Sequence, residues 1–436
     1  MAGHHKICGM ETYLRERDGW KRRPPFCRLV SAFQGEQKNT DSMKRKQKRA
    51  YRYRVYPTDE QKRLLARTFG CVRFVYNWAL RRRRDAYHQE QVRIGYPETS
   101  ALLTTFKQQE DYRWLNEVSC VPLQQTLRHL DRAFRNFFEG RSGYPVFKSK
   151  RGKQSAEYTA SAFKWNGTSL ALAKMDSPLD IRWSRPLPKG CKPSTITVTK
   201  DPANRYFVSM LVEEEIQPLP VNNSMVGLDL GLKSLVVLST GETIGNPTYF
   251  ARDERTLAKA QRRLARKKKG SKNRAKAQLK VARIHARIAD RRRDYQHKLS
   301  TRIVHENQVI CVESLSVKNM VKNHSLAKAI SDVGWGELVR QLEYKARWYG
   351  RTLVKIDRFY PSSKRCHACG HLLDSLSLDE RFWTCPACGV FHDRDVNAAK
   401  NVLSEGLSAA ACGERVRPGR AKVPAGTARR TRKLYS

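Results

Sequence analysis

The sequence predicts a multidomain α+β protein: a small β-barrel wrapped around an inserted helical block, followed by an α/β unit interrupted by a compact metal ribbon. Three observations carry that expectation. Alternating patterns at Tyr51-Arg52-Tyr53-Arg54-Val55-Tyr56, Thr195–Thr199 and Val208–Val212 flank long stretches of 3.6-residue periodicity. Near-continuous apolar runs at 225–238, 308–313 and 352–356 read as buried strands separated by helical segments. Four cysteines stand as Cys366-x2-Cys369 and Cys385-x2-Cys388 with fifteen residues between the pairs.

Taken in order, residues 1–42 hold Gly, Pro and mixed charge without periodicity, whereas Met43-Lys44-Arg45-Lys46 leads straight into the first strand. Met43 is therefore an expected start of the native chain. Pro57-Thr58-Asp59-Glu60 reads as a helix cap, and Leu65, Phe69, Val72, Tyr76 and Leu80 then fall at helical spacing, ending in Arg81–Arg84. A second helical stripe contains Leu123, Leu127, Leu130, Phe134, Phe137 and Phe138. Both stripes are expected to be core. Gly143–Gly152 breaks the helices, and Lys148, Lys150 and Arg151 within it are candidate nucleic-acid contacts. The strands at 195–199 and 208–212 are expected to pair through the turn Asp201-Pro202-Ala203-Asn204.

Charge bounds the partner. The 436 residues carry 85 Lys+Arg against 41 Asp+Glu, a formal +44, which on a folded chain points to a polyanion. Residues 251–300 concentrate 19 of those cations against 4 acids on roughly helical apolar spacing, so a pair of basic helices broken at Gly270 is expected. Arg262, Arg263, Arg266, Lys267, Lys268 and Lys269 are their candidate phosphate contacts. No apolar run of 18 residues exists, which argues against a membrane-spanning helix. Eleven cysteines, four clustered and the rest scattered, suit a reducing cytoplasm better than a disulfide framework. A helix over 335–350 and the strand 352–356 precede the ribbon, and residues beyond 404 read as a basic tail.

Two kinds of chemistry stand out. Cys366, Cys369, Cys385 and Cys388 have the spacing of a closed tetrahedral site for structural Zn2+, each pair followed by a turn-forming Gly; a redox-active CxxC pair is the plainer alternative. Asp229 interrupts the apolar run Met225–Leu238 between Gly227 and Gly231, so its carboxylate either meets a cation or points into solvent. Glu313 ends the strand 308–313, and Asp395 lies near the start of a helix read over 391–403. Three hard oxygen donors at one sheet edge are what two Mg2+ ions need to act on a phosphodiester.

With Gly227-Leu228-Asp229-Leu230-Gly231, Val312-Glu313-Ser314-Leu315, Tyr360-Pro361-Ser362-Ser363-Lys364, the four cysteines and Asp395-Val396-Asn397-Ala398-Ala399 in this order, the chain from about 43 to 403 resembles the TnpB family, the OrfB-type proteins of insertion sequences related to type V CRISPR effectors. The resemblance implies an RNase H-like RuvC nuclease domain behind a wedge barrel and a helical recognition domain. It implies a guide RNA from the mobile element, double-stranded target DNA cut beside a short adjacent motif, and a monomeric ribonucleoprotein. It implies catalysis by Asp229, Glu313 and Asp395, with Asp393 a bystander. The expected division is 1–42 an extension, 43–58 the first wedge strand, 59–142 recognition helices and 143–220 the rest of the wedge. The nuclease domain then takes 221–365 including the basic helices 251–300, the ribbon 366–388, the last nuclease helix 389–404, and a tail 405–436. Two other readings remain open: an unguided nuclease or transposase, although no paired-histidine motif with a downstream tyrosine appears, and a DNA-binding regulator without chemistry.

Overall fold

The computed structural model describes residues 46–411 apart from 189 and 378, together with the backbone of 13–16 and 19–22. The expectations for the rest of 1–42, for a start at Met43 and for the tail beyond 411 lie outside the described residues. Tyr13–Glu16 (β1) and Gly19–Arg22 (β2) pair antiparallel. The chain divides into two compact units, one of 44–216 with 253–290 and one of 1–43, 217–252 and 291–436.

In the first of these, Lys46–Val55 (β3) enters Asp59–Gln89 (α1) through a reciprocal cap: Thr58 Oγ1 accepts the Gln61 N–H at 3.2 Å and Gln61 Oε1 accepts the Thr58 N–H at 3.1 Å. Leu65, Phe69, Val72, Tyr76 and Leu80 are all buried. Tyr96–Phe106 (α2) and Cys120–Phe138 (α3) complete the helical block; Leu123, Leu127, Leu130 and Phe134 are buried, while Phe138 is 70% exposed. Gln154–Thr159 (β4), the small hairpin Phe163–Trp165 (β5) and Leu170–Leu172 (β6), Ile181–Arg182 (β7), Thr195–Lys200 (β8) and Tyr206–Glu215 (β9) follow. β8 and β9 pair as expected, Val198 opposite Val208, across a turn whose Asn204 has φ 62°. The sheet order β4-β8-β9-β3-β7 is antiparallel and open: among the described residues no pairing joins its edges, so the expected barrel is observed as a five-stranded sheet with a separate hairpin.

The basic helices are Tyr249–Ala265 (α4) and Lys272–Glu306 (α5), separated at Gly270, whose φ of 85° a glycine tolerates at no steric cost. Residues 253–290 group with the first unit, where the sequence reading had put the whole basic stretch in the nuclease domain.

In the second unit the apolar run 225–238 is two strands and not one. Met225–Asp229 (β10) and Ser234–Leu238 (β11) form a hairpin, so Asp229 ends a strand instead of interrupting one. With Thr243–Gly245 (β12), Val309–Glu313 (β13) and Thr352–Ile356 (β14) they make a sheet of order β12-β11-β10-β13-β14, in which β10–β13 and β13–β14 are parallel. Two short helices, Val317–Met320 (α6) and Ala327–Val333 (α7), lead into Trp335–Tyr349 (α8), which stops at left-handed Gly350 (φ 68°). Side chains alternate across the strands. Val226, Leu228, Ile310 and Val312 face a core with Leu299, Ile303, Trp335, Leu338 and Leu342 of α5 and α8. Val309, Cys311 and Ile356 face the opposite side, onto Val402 and Leu407.

Those last two belong to Arg394–Ala411 (α9). The helix starts three residues later than the 391 read from the sequence and runs through 405–411, which composition assigns to the tail. Its small residues serve contact: a Cβ on Gly406 would lie 2.7 Å from Cys311 Cβ, and one on Gly227 would lie 2.7 Å from the Leu403 nitrogen. Before α9, Phe382–Thr384 (β15) and Phe391–Asp393 (β16) form the ribbon hairpin. No helix among the described residues is long and apolar enough to cross a membrane.

Candidate nuclease site and metal ribbon

Register and parity bring two carboxylates together. β10 and β13 run parallel with Leu228 opposite Val312, so the next residues, Asp229 and Glu313, leave neighbouring strands at the same edge of the sheet. Leu228 and Val312 point into the core beneath α5 and α8. Asp229 and Glu313 therefore point to the other face, the one α9 covers.

α9 brings the third. Ala399 and Leu403 lie against the bare backbone of Gly227, Gly406 gives room to the Cys311 side chain, and Asp395 stands one turn before Ala399 on that same stripe. Asp393 is a cap: its Oδ1 accepts the N–H groups of Asp395 and Val396, each at 2.9 Å, satisfying two of the free donors at the helix start. The Asp395 carboxylate pairs with the Arg381 guanidinium from the ribbon.

Burial raises the two carboxyls at the strand ends. Burial, then the negative charges of Glu313 and Asp395, pushes the Asp229 carboxyl up to about 8, against the partial relief of Arg394 and Arg381. Burial also raises Glu313, opposed by the Ser362 hydroxyl, which donates to its Oε1 at 2.6 Å. A proton is one way to relieve this charge and a hard cation is another; among the described residues the group already spaced to hold a metal ion is the four cysteines, not these carboxylates.

The four cysteines form the tighter group. Their sulfur atoms all lie within 4.8 Å of one another, with Cys366–Cys388 at 3.7 Å and Cys369–Cys385 at 3.6 Å. A tetrahedron with metal–sulfur bonds of about 2.3 Å has edges of roughly 3.8 Å, so the thiols are already spaced for one metal ion. His392 Nε2 approaches Cys366 Sγ at 3.0 Å. The ribbon is stitched to α9 by two buried asparagines. Asn397 Oδ1 accepts the His367 N–H (3.0 Å) and its Nδ2 donates to the Arg365 carbonyl (2.7 Å). Asn401 Nδ2 donates to the carbonyls of Ser362 (2.7 Å) and Arg365 (2.5 Å).

Sequence reasoning passed over Arg381 and Asn401 and quoted Ser362 and Asn397 within motifs without giving either a role. The available signal was Asn at i and i+4 on an alanine-rich helix, where a poor helix former needs a reason. The basic candidates lie in the other unit. Arg262, Arg263, Arg266, Lys267, Lys268 and Lys269 are exposed at the end of α4 and in the turn after it, as are Lys150 and Arg151. Lys148 differs: its ammonium sits 4.0 Å from the Tyr76 ring centroid, and Asn77 bonds both its N–H and its carbonyl, so it pins the loop to α1.

Three family profiles match: "Probable transposase" over residues 207–324, "Cas12f1-like, TNB domain" over 335–402 and "Helix-turn-helix domain" over 43–91. The last span holds β3 and one unbroken helix of 31 residues, which is a different arrangement from two helices and a turn. A Streptomyces pristinaespiralis protein named "Putative RNA-guided DNA endonuclease" is 58% identical over 374 residues, 86% of this chain and 93% of that one. The Escherichia coli K12 protein of the same name, InsQ, is 34% identical over 87% of this chain and 96% of its own. "TnpB-like protein L79" of Acanthamoeba polyphaga mimivirus is 25% identical over 81% of this chain and 72% of its own. Among solved structures, a Cas12f1–sgRNA–target DNA complex matches in fold with a TM-score of 0.53 at 14% identity, covering 82% of this chain and 99% of that one. With the motifs in order on one sheet edge and its covering helix, and with relatives this similar over nearly their whole length, the chain belongs to the TnpB family of insertion-sequence proteins.

Proposed function

We propose that this protein is an RNA-guided DNA endonuclease of an insertion sequence, with Asp229, Glu313 and Asp395 as its catalytic carboxylates. The observation that carries the reading is the shared parity of Asp229 and Glu313 on adjacent parallel strands, facing the helix that bears Asp395. Relatives named as RNA-guided DNA endonucleases support it over the regulator and the unguided nuclease. The three carboxylates would hold Mg2+, which supplies Lewis-acid stabilisation of the charge that builds on a phosphodiester under attack. Ser362 fixes Glu313, the Asp393 cap fixes the start of α9, and Arg381 sets a second cation beside Asp395. The exposed cations Arg262, Arg263, Arg266, Lys267–Lys269, Lys150 and Arg151 would meet phosphates of guide and target, sequence being read by base pairing.

The test is RNA dependence. Purified protein is expected to carry a discrete RNA, to cut DNA matching that RNA in Mg2+, and to stop cutting after RNase treatment. Cutting indifferent to RNase would replace this reading with the unguided one, and salt-sensitive binding without cutting would replace it with the regulator.

In the ribbon the four thiolates would hold structural Zn2+. Metal analysis is expected to give about one zinc per chain. Cys385→Ser or chelation should lower the unfolding temperature and cut DNA cleavage at least about tenfold, because the ribbon carries both the His367 N–H that Asn397 accepts and the Arg381 guanidinium that pairs with Asp395. Full activity in zinc-free protein would remove the ribbon from the mechanism.

A further inference from the structure

Beside Glu313 lies a loop bound to it at both ends. β14 finishes at Ile356, directly opposite Glu313, and Ser362 donates to the Glu313 carboxylate, so residues 357–361 stand at the rim of the carboxylate edge. The loop is folded by its own side chain: Asp357 Oδ1 accepts the Phe359 N–H at 2.8 Å, and the Asp357 carbonyl accepts the Tyr360 N–H at 3.4 Å. This turn sends two aromatic rings opposite ways. Tyr360 packs on the core of Val309, Cys311, Ile356, Val402 and Leu407. Phe359 is 82% exposed, with the Arg358 guanidinium 5.2 Å from its ring centroid.

A single exposed apolar residue is ordinary on a protein surface. This one stands on a turn capped by the Asp357 side chain, has a guanidinium beside its ring and sits one loop from a proposed catalytic carboxylate. A flat apolar ring flanked by a guanidinium suits a nucleobase with its phosphate: the ring stacks on the base and the cation meets the charge. A base inside a duplex has both faces covered by its neighbours, so only an unpaired base can lie on Phe359. We infer that Phe359 and Arg358 form a stacking platform for an unpaired base of the DNA strand delivered to Asp229, Glu313 and Asp395. The inference rests on the nuclease reading for the identity of that strand. Phe359 acts as a positioning residue: it holds the strand beside the scissile phosphate and does not touch the reacting atoms.

The experiment uses the full-length protein as purified, Ca2+ in place of Mg2+, and single-stranded DNA oligonucleotides carrying 2-aminopurine at successive positions. Stacking should quench the fluorophore at one or two adjacent positions. Phe359→Ala should abolish that quench and weaken binding roughly 5- to 100-fold, and Phe359→Trp should restore both. In Mg2+, Phe359→Ala should raise KM for the cut strand by a similar factor with kcat nearly unchanged, at an unfolding temperature equal to that of the wild type. Equal quenching in wild type and Phe359→Ala, or no quench at any position in the wild type, overturns the platform. Wild-type protein that quenches but never cuts retains the platform and overturns the nuclease reading; wild-type protein that cuts without quenching does the reverse.

Discussion

Asp229→Asn is expected to abolish DNA cleavage and, in protein stripped of divalent ions, to raise the unfolding temperature. The two effects have one origin. Asp229 shares its pocket with the charges of Glu313 and Asp395, so in the folded, metal-free protein it keeps its proton up to about 8 instead of releasing it near 3.8. Between those values folding takes up a proton. The contribution of Asp229 to metal-free stability is therefore fully present below about 4, declines as the pH rises, and is lost above about 8. Asparagine never ionises, so it removes that decline, and at pH 8 the variant should melt a few degrees higher, at about 2–4 °C per kcal/mol. On the proposed nuclease reading it also removes a carboxylate that would hold the divalent cation, for which a loss of roughly 10³-fold or more in cleavage is expected. Bound RNA should be unchanged. Plasmid cleavage with matched RNA, and calorimetry in EDTA across pH 5 to 9, read the two effects. Cutting within tenfold of wild type, or a lower melting temperature in EDTA, would remove Asp229 from the site.

Gly227→Ala should fail in the opposite manner, losing both stability and activity. An added Cβ would fall inside the Ala399 carbonyl oxygen and lie 2.7 Å from the Leu403 nitrogen and 2.9 Å from its Cβ. Two of these are backbone atoms of a helix, so no side-chain rotation relieves them, and α9 has to move off the sheet. A cost of roughly 3 kcal/mol or more is expected, lowering the melting temperature by about 6–12 °C. Because α9 carries Asp395, a displacement on the order of 1 Å should also reduce cleavage about 100-fold. Gly245→Ala, where an added Cβ meets nothing within 4 Å, is the control and should leave cleavage unchanged. Wild-type melting of Gly227→Ala would mean that α9 does not lie on β10 as described.

Much of this was legible in the sequence because local chemistry and tertiary environment agree. The cap at Thr58, the hairpin across Asn204, the break at Gly270 and the stop at Gly350 are written in residues whose backbone preferences require them. The end of the strand at Glu313 and the place of Asp395 in the first turn of a helix were readable from the sequence, whereas Asp229 reads there as interrupting a strand that it in fact ends. Continuity of apolar character concealed the turn at 230–233, since both strands around it are buried on both faces. Composition misled at 405–411, where Gly, Ser and Ala imitate a tail but Gly406 and Leu407 pack on the sheet. The partners of Asn397, Asn401 and Ser362 are backbone carbonyls, a backbone N–H and a carboxylate some thirty to fifty positions away, and no periodicity reports such pairings.

The asparagine stitching has a consequence for anyone wishing to shorten this chain. Residues 366–388 look like a detachable module, a four-cysteine knot inserted between β14 and α9. Yet its knuckle holds the underside of α9, and its far strand runs straight into the turn that caps that helix. Excising the knot would leave the cutting edge without its clamp, so a smaller version has to be sought elsewhere in the protein.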